Sequence, residues 1–207
     1  MTKKYTAVCR LCRREGEKLF LKGQKCYLDK CPVKRRPYGP GQHGKTAKNK
    51  QSDYKVRLRE KQKARRMYGI SERQFEKYFD SARKSKGVTG EKLLEALERR
   101  LDNVVFRLGF SPSRREGRQL VQHGHFLINS KRLDIPSYQV RLQDVIEVKP
   151  ASNERIKQNI EKTKERKSPA WLSVDGAGLK GKVEAIPKRE DIEAAIDELL
   201  IVEYYSR

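Results

Sequence analysis

The positive charge of this chain is concentrated in its first third. Residues 1–66 contain 22 Lys and Arg against 5 Asp and Glu, a net charge of +17, whereas residues 67–150 carry +5 and residues 151–207 are neutral. The whole chain of 207 residues carries +22, and only 36% of it is hydrophobic. This composition supports a modest or divided hydrophobic core with a basic N-terminal arm, and it excludes a long disordered acidic protein. Because so large an excess needs a counter-charge, nucleic acid is the expected partner, with an anionic membrane surface a distant second.

Neither a membrane span nor a secretion signal is expected. The longest purely aliphatic run, residues 199–202, is far shorter than the roughly 20 residues that cross a bilayer. The N-terminal residues 1–5 contain no apolar stretch of the kind that directs secretion. We therefore expect a cytoplasmic protein with reduced cysteines.

Four cysteines lie within 23 residues, with the spacing C-x2-C-x13-C-x4-C. They are Cys9, Cys12, Cys26 and Cys31. Two close pairs joined by a connector are typical of a tetrahedral zinc site, and four cysteine ligands leave no open position for catalysis. Four unrelated buried thiols or two disulfides are the alternatives, and disulfides require an oxidising compartment. We predict a structural Zn²⁺ site, with an iron–sulfur cluster as the alternative metal group.

The basic arm also contains residues suited to contact nucleic acid. Two prolines and three glycines within residues 37–44 exclude helix and strand there. Glycines let a backbone come close to phosphate, and Tyr38 and His43 are suited to stack on bases. An ordinary linker is the alternative interpretation, and residues 46–52 resemble a flexible tether. The predicted contacts in the arm are Arg13, Arg14, Lys34, Arg35, Arg36, Tyr38, Gln42, His43 and Lys45.

The rest of the chain has the pattern of an α+β fold. Helices are predicted over residues 53–68, 71–87, 91–108, 113–123, 154–167 and 187–199. Strands are predicted over residues 126–129, 131–135, 144–148, 171–175 and 183–186, with 201–205 as a final strand or extended tail. The first of these helices is highly charged, and its predicted RNA contacts are Lys55, Arg59, Lys63 and Arg66.

Residues 99–148 combine a helix, a turn, a second helix and a hairpin. Three arginines project from the first turns of the second helix, where the helix dipole also favours phosphate. The hairpin tip adds two further basic side chains. Such a surface follows a nucleic-acid backbone across a groove and recognises shape more than sequence. The predicted contacts in this region are Ser113, Arg114, Arg115, Arg118, Gln119, His123, Lys131 and Arg132.

This region resembles the RNA-binding domain of the bacterial ribosomal protein S4 family. The resemblance rests on residues 99–109, on residues 113–124 and on the hairpin that follows. It extends to the cysteine set, the loop at 36–44, the segments 52–63 and 68–75, and the ending Tyr205-Ser206-Arg207, and so covers essentially the whole chain. Three positions differ from the usual pattern: Gly117 replaces a common alanine, and Ser130 and Gln143 each replace a glycine.

The resemblance implies a metal-bearing or extended arm at residues 1–50 and a mostly helical domain that begins at 51–97. An inserted RNA-binding module at 98–150, extending to about 175, follows, and residues 151–207 return to the helical domain. The resemblance also implies a structural constituent of the small ribosomal subunit that binds 16S ribosomal RNA, nucleates assembly and influences translational accuracy. The implied partners are ribosomal RNA, ribosomal protein S5, and messenger RNA where it enters the particle.

Signatures of enzymes are weak. Residues 176–181 match G-x-G-x-x-G, but a strand and Pro187 follow where a dinucleotide site needs a helix. Asp102 resembles the aspartate of pseudouridine synthases, yet it lies in an amphipathic helix and is predicted to be structural. His123 and His125 lack a carboxylate partner for a metal site. We expect no enzyme; the alternatives are an RNA-modifying or RNA-processing factor with the same module and, more distantly, a zinc-finger DNA regulator.

Overall fold

The computed structural model describes residues 7–46, 52–164, 166, 168–175, 179–193 and 195–206. The chain divides into two compact units: unit 1 is Met1–Ser71 with Ile196–Arg207, and unit 2 is Glu72–Ala195. No helix within these described ranges is long and apolar enough to cross a membrane. Most of the predicted tether, residues 47–51, lies outside the described residues, as do residues 176–178 of the glycine motif.

The described residues form α-helices and one antiparallel sheet, which confirms the mixed helix-and-sheet prediction. The helices are α1 (Cys9–Glu15), α2 (Pro32–Arg35), α3 (Asp53–Met67), α4 (Glu72–Lys84), α5 (Thr89–Glu98), α6 (Leu101–Arg107), α7 (Arg114–Gln122), α8 (Asn153–Thr163) and α9 (Glu198–Tyr205). The strands are β1 (Phe126–Ile128), β2 (Lys131–Arg132), β3 (Val145–Val148), β4 (Leu172–Val174) and β5 (Lys180–Val183). Short 3-10 turns lie at Gly23–Cys26, Pro150–Ser152 and Arg189–Asp191.

Unit 1 is built around the packing of α3 against α9. The Ser52 hydroxyl accepts the Lys55 N–H at 3.3 Å and starts α3. The Asp197 carboxylate accepts the N–H groups of Leu199 and Leu200 and starts α9. The prediction of a strand or extended tail at 201–205 is therefore wrong. Packing against α3 and the Asp197 cap outweigh the β-branched and aromatic composition of this segment.

The predicted long helix at 91–108 is in fact two helices, α5 and α6, separated at Arg99 and Arg100. Arg100 is extended, with φ −67° and ψ 134°. The Arg99 carbonyl accepts the Val140 N–H at 2.9 Å, and the Leu101 N–H donates to the Tyr138 carbonyl at 2.9 Å. These bonds take the place of hydrogen bonds within a helix and break it at Arg99–Arg100. The stripe of apolar residues that predicted one helix therefore spans two.

The segment near residues 180–200 also differs from its prediction. β5 begins three residues before the predicted strand, and it pairs with both β3 and β4. A helix over 187–199 is not formed in the described residues of that range, where only the 3-10 turn and the start of α9 are helical. Gly181 explains the shift in β5, because a Cβ there would lie 2.6 Å from two methyl carbons of the buried Leu108. Glycine is uncommon inside strands, so Gly181, which this close approach requires, hides the strand from prediction by sequence pattern.

Unit 2 contains one hydrophobic core beneath a five-stranded sheet with the order β2-β1-β3-β5-β4. All strand pairs are antiparallel, with Phe126 opposite Val148 and Ile146 opposite Gly181. The core combines buried side chains of α6, α7, α8 and the sheet, and it includes Trp171, which is 1% exposed. Since Trp171 is the single tryptophan of the chain, its fluorescence reports on the folding of unit 2.

The predicted hairpin is present, and its turn uses two left-handed residues, as a type I′ turn requires. Asn129 has φ 48° and Ser130 has φ 65°, and Gln143 in the next loop has φ 68°. Asn129 is held by its side chain, which donates to Asp144 Oδ1 at 2.9 Å and accepts the Val145 N–H at 3.0 Å. Ser130 and Gln143 therefore occupy a conformation that favours glycine.

Ser130→Gly and Gln143→Gly are each expected to raise the free energy of unfolding by about 0.5–1 kcal/mol, because the strain of a left-handed side chain exceeds the entropy cost of glycine. Urea denaturation followed by Trp171 fluorescence measures the change. Ser137→Gly is the control, since Ser137 is exposed and is not among the positive-φ residues. A gain no larger than that of the control would contradict the prediction.

Candidate nucleic-acid interface

Helix α7 lies very close to α6. The Ser113 hydroxyl accepts the Glu116 N–H at 3.3 Å, as the predicted N-cap requires. A Cβ on Gly117 would lie 2.8 Å from the Asp102 carbonyl oxygen and 2.9 Å from Ser111 Oγ. The small residue lets the two helices approach, which explains a glycine where the family pattern commonly has alanine. Ser113 is itself buried, so its position serves the cap.

The three predicted arginines of α7 differ in their surroundings. Arg114 is 12% exposed, donates to Asn103 Oδ1 at 2.7 Å and lies 4.5 Å from the Phe106 ring centre. Arg118 is 38% exposed and donates to Asp102 Oδ2 at 3.4 Å. Arg115 is exposed. Substitution of Arg114 would therefore remove internal contacts of unit 2 as well as a positive charge.

Two buried carboxylates, Glu98 and Asp102, lie next to Arg114 and Arg118. The sequence patterns indicated a structural role for Asp102 and did not reveal Glu98. Glu98 is 1% exposed and accepts hydrogen bonds from Asn103 and Arg107. Asp102 is 3% exposed and accepts two hydrogen bonds from Arg100, at 3.1 and 2.8 Å. The geometry places Asp102 in a structural ion pair, in agreement with its predicted structural role.

The turn after α7 and the hairpin form the rest of the predicted surface of unit 2. Gln119, His123, Lys131 and Arg132 are all exposed. The Arg132 side chain lies against Gly124, where a Cβ would come within 2.7 Å of Arg132 Nε. The hairpin arginine therefore meets the end of α7, and the exposed predicted residues of the two elements lie on neighbouring parts of unit 2.

The loop that follows α2 is ordered by an arginine of α1. Arg13 Nε and Nη2 donate to the carbonyls of Tyr38 and Gly39 at 3.0 and 3.2 Å. The Arg13 guanidinium lies 5.0 Å from the Tyr38 ring centre, and the Lys45 ammonium lies 5.4 Å from it. Arg13 and Tyr38 thus shape the loop. The predicted arm contacts that are exposed are Arg14, Lys34, Arg35, Arg36, Gln42, His43 and Lys45.

The predicted contacts on α3 are largely engaged inside unit 1. The side chain of Glu15 is 2% exposed and accepts hydrogen bonds from Arg59, at 3.4 Å, and from Arg66. Burial raises the pKa of this carboxyl, and the two arginines oppose that effect. Lys63 pairs with Glu17 at 3.0 Å and with Glu60 at 3.3 Å. Lys55 is partly buried. RNA contact by these four residues stays a prediction, whereas Arg59, Lys63 and Arg66 form ion pairs within unit 1.

The four cysteines lie in and around α1, the first 3-10 turn and the start of α2. Cys12, Cys26 and Cys31 are buried, and none of the four forms a disulfide. Burial raises the pKa values of Cys12 and Cys26, with a further increase from the charges of the neighbouring cysteines. Across the part of the chain that the structure describes, no set of three or more His, Cys, Asp or Glu side chains is arranged to hold a metal ion. The predicted zinc site therefore stays a prediction.

A strongly cationic chain with a basic arm, a helix–turn–helix and a hairpin that carries an exposed lysine and an exposed arginine is typical of a nucleic-acid-binding protein. Comparison with known families specifies the class further. The chain matches the ribosomal protein S4/S9 N-terminal domain over residues 3–98 and the S4 domain over residues 99–146.

Full-length relatives agree with this match. The chain is 58% identical over 202 residues to small ribosomal subunit protein uS4 of Thermus thermophilus, covering 97% of each. It is 58% identical over 207 residues to uS4 of Solidesulfovibrio magneticus, covering 99% of both chains. It is 57% identical over 209 aligned residues to uS4 of Nitratidesulfovibrio vulgaris, covering 100% of both chains. The chain belongs to the uS4 family of small ribosomal subunit proteins, which are structural components of the ribosome and not enzymes.

Proposed function

We propose that this protein is a structural constituent of the small ribosomal subunit of the cytoplasmic ribosome and binds 16S ribosomal RNA directly. The observation that carries the proposal is the exposed basic surface of the arm and of α7 with its hairpin, in a chain of the uS4 family. As a primary binder, the protein would nucleate assembly of the body of the subunit and influence translational accuracy.

The two surfaces differ in how they would contribute to binding. The arm carries many exposed charges on short elements, and such charges neutralise phosphates irrespective of base sequence. In unit 2 the side chains of Arg114 and Arg118 are positioned by buried carboxylates and Asn103. Pre-positioned arginines lose little conformational freedom on binding, so this surface favours RNA of one shape.

Titration of 16S ribosomal RNA over a range of salt concentrations tests the proposal. Each phosphate contact steepens the log–log salt dependence by roughly 0.7–0.9 and is equivalent to about fivefold in affinity at 0.15 M salt. We expect the variant Arg14→Ala/Arg35→Ala/Arg36→Ala/Lys45→Ala to bind with a slope about 3 smaller and an affinity lower by about two to three orders of magnitude.

The matched control removes the same charge from α4, where no contact is predicted: Arg73→Ala/Lys77→Ala/Arg83→Ala/Lys84→Ala. All four of these side chains are exposed. The control is expected to retain most of the affinity and the slope. Equal losses in both variants would show that net charge alone governs binding. Base modification of the RNA by the purified protein would favour the alternative of an RNA-modifying factor and contradict the proposal.

Contacts with ribosomal protein S5, and with messenger RNA where it enters the subunit, are finer parts of the proposal. The resemblance of the chain to its family supports them. A chain with a cationic N-terminal third and a neutral C-terminal third suits a protein that contacts both RNA and protein neighbours.

We also propose that Cys9, Cys12, Cys26 and Cys31 bind one structural Zn²⁺. The sequence spacing supports this: four thiols within 23 residues have the spacing typical of a closed tetrahedral site, and zinc would supply a cross-link between α1 and the start of α2. The Lys22 N–H donates to Cys26 Sγ at 3.3 Å, a contact that also stabilises a thiolate ligand. An iron–sulfur cluster is the alternative occupant of four thiolates.

A further inference from the structure

Basic side chains from several elements of unit 2 surround the turn at residues 123–125. The His123 and His125 rings lie 6.0 Å apart, and the Lys149 N–H donates to the His125 carbonyl at 2.9 Å. His125 Nδ1 lies 2.7 Å from the hydroxyl oxygen of Ser152, which is buried at the 3-10 turn before α8. This contact fixes the imidazole next to the first turn of α8, where Arg155 is exposed.

The titratable groups that interact electrostatically with His125 all carry or can acquire positive charge. They are His123 after α7, Lys149 after β3 and Arg155 on α8. Burial lowers the pKa of His125, and repulsion from these three groups lowers it further. With His125 itself these groups make four basic side chains. Arg132 adds a fifth, since its guanidinium lies against Gly124 in the same turn. Like charges gathered in this way are unfavourable in isolation and favourable around an anion.

We propose that His123, His125, Lys149 and Arg155 form a phosphate-binding cluster that extends the RNA-binding surface of unit 2 from α7 onto the start of α8. The ligand is a phosphate of the RNA backbone, so the inference rests on the proposed function. Three of the four residues, His125, Lys149 and Arg155, lie outside the surface predicted from the sequence. Arg155 and Lys149 supply permanent charge, and His125 gains a proton when the phosphate is bound.

The expected loss of affinity is that of two phosphate contacts. The double variant Lys149→Ala/Arg155→Ala should bind 16S ribosomal RNA about twentyfold more weakly at 0.15 M salt, with a salt slope smaller by about 1.4–1.8. The control is Lys157→Ala/Lys164→Ala, which removes the same charge from exposed positions on the other flank of α8. Residues 155 and 157 lie on opposite sides of the buried stripe of α8 that contains Ile156 and Asn159. The control therefore tests whether charge lost from the far flank of α8 has the same effect as charge lost from the cluster. Trp171 fluorescence verifies that each variant is folded.

Proton linkage provides a second readout. Burial and the neighbouring positive charges lower the pKa of His125, and a bound phosphate raises it, so affinity should fall as the pH is raised from 6 to 8. His125→Gln should reduce this pH dependence while retaining a polar group next to Ser152.

The outcomes separate the two proposals. If the parent protein binds the RNA but the Lys149/Arg155 variant behaves as its control does, the phosphate cluster is wrong and the proposed function stands. The same holds if His125→Gln keeps the full pH dependence. If the parent protein fails to bind 16S ribosomal RNA, both the proposed function and the cluster are wrong.

Discussion

Glu98→Ala is expected to lower the free energy of unfolding of unit 2 by about 3–5 kcal/mol. The Glu98 carboxylate accepts Asn103 Nδ2 at 2.7 Å and Arg107 Nε and Nη2 at 3.0 and 2.9 Å. Arg107 is only 8% exposed, so loss of the carboxylate leaves a guanidinium that water solvates poorly. Asn103 also orients Arg114, and its own orientation depends on Glu98.

Urea denaturation followed by Trp171 fluorescence measures this loss. Glu95→Ala is the matched control, because Glu95 lies one turn earlier on α5 and binds Lys92 and Arg99 at 2.8 and 3.0 Å near the surface. The control is expected to cost less than about 1 kcal/mol. A second variant, Glu98→Ala/Arg107→Met, should recover part of the loss, since it removes both charges. Equal effects of Glu98→Ala and Glu95→Ala would contradict the role assigned to the network.

Removal of the proposed Zn²⁺ is expected to unfold the region that contains the four cysteines. Structural zinc contributes about 10–16 kcal/mol of apparent binding free energy in small domains, and α1 and α2 are seven and four residues long. Helices of this length are unstable without a cross-link. A strong chelator should therefore increase proteolysis within residues 7–46 and leave the Trp171 fluorescence of unit 2 unchanged.

Metal analysis of the purified chain completes the experiment, with one equivalent of zinc expected. The variant Cys12→Ser/Cys26→Ser should contain no zinc and should be cleaved in the same region whether or not chelator is added. A visible absorption band with bound iron would identify an iron–sulfur cluster instead. Proteolysis of the parent chain that does not respond to chelator, together with a zinc content of zero, would contradict the metal proposal.

Elements defined by local sequence were predicted well. The helix at 53–68, the cap at Ser113 and the hairpin at 129–130 all appear near their predicted positions, because each depends on neighbouring residues. The break at Arg99–Arg100 was missed because its hydrogen-bond partners, Tyr138 and Val140, lie about forty residues away. Helix α9 was missed for the same kind of reason, since it packs on α3 from the opposite end of the chain.

The candidate site shows a similar limit. Sequence patterns indicated which segments carry basic residues, and most of the arm and hairpin residues are indeed exposed. They did not distinguish Arg115, which is exposed, from Arg114, which packs on Phe106. They also gave no sign that Lys63 is buried between Glu17 and Glu60. A lysine or arginine looks the same in a sequence whether its partner is a phosphate or a carboxylate of its own fold.

The order of the two units along the chain affects how the protein emerges during synthesis. Unit 2 is continuous, so all of its residues are synthesised before those of α9. Unit 1 is interrupted, because α3 precedes unit 2 and its partner α9 follows it. Domains fold as they leave the translating ribosome. In a nascent chain, α7 and its hairpin therefore emerge before α9, the helix on which the basic α3 packs.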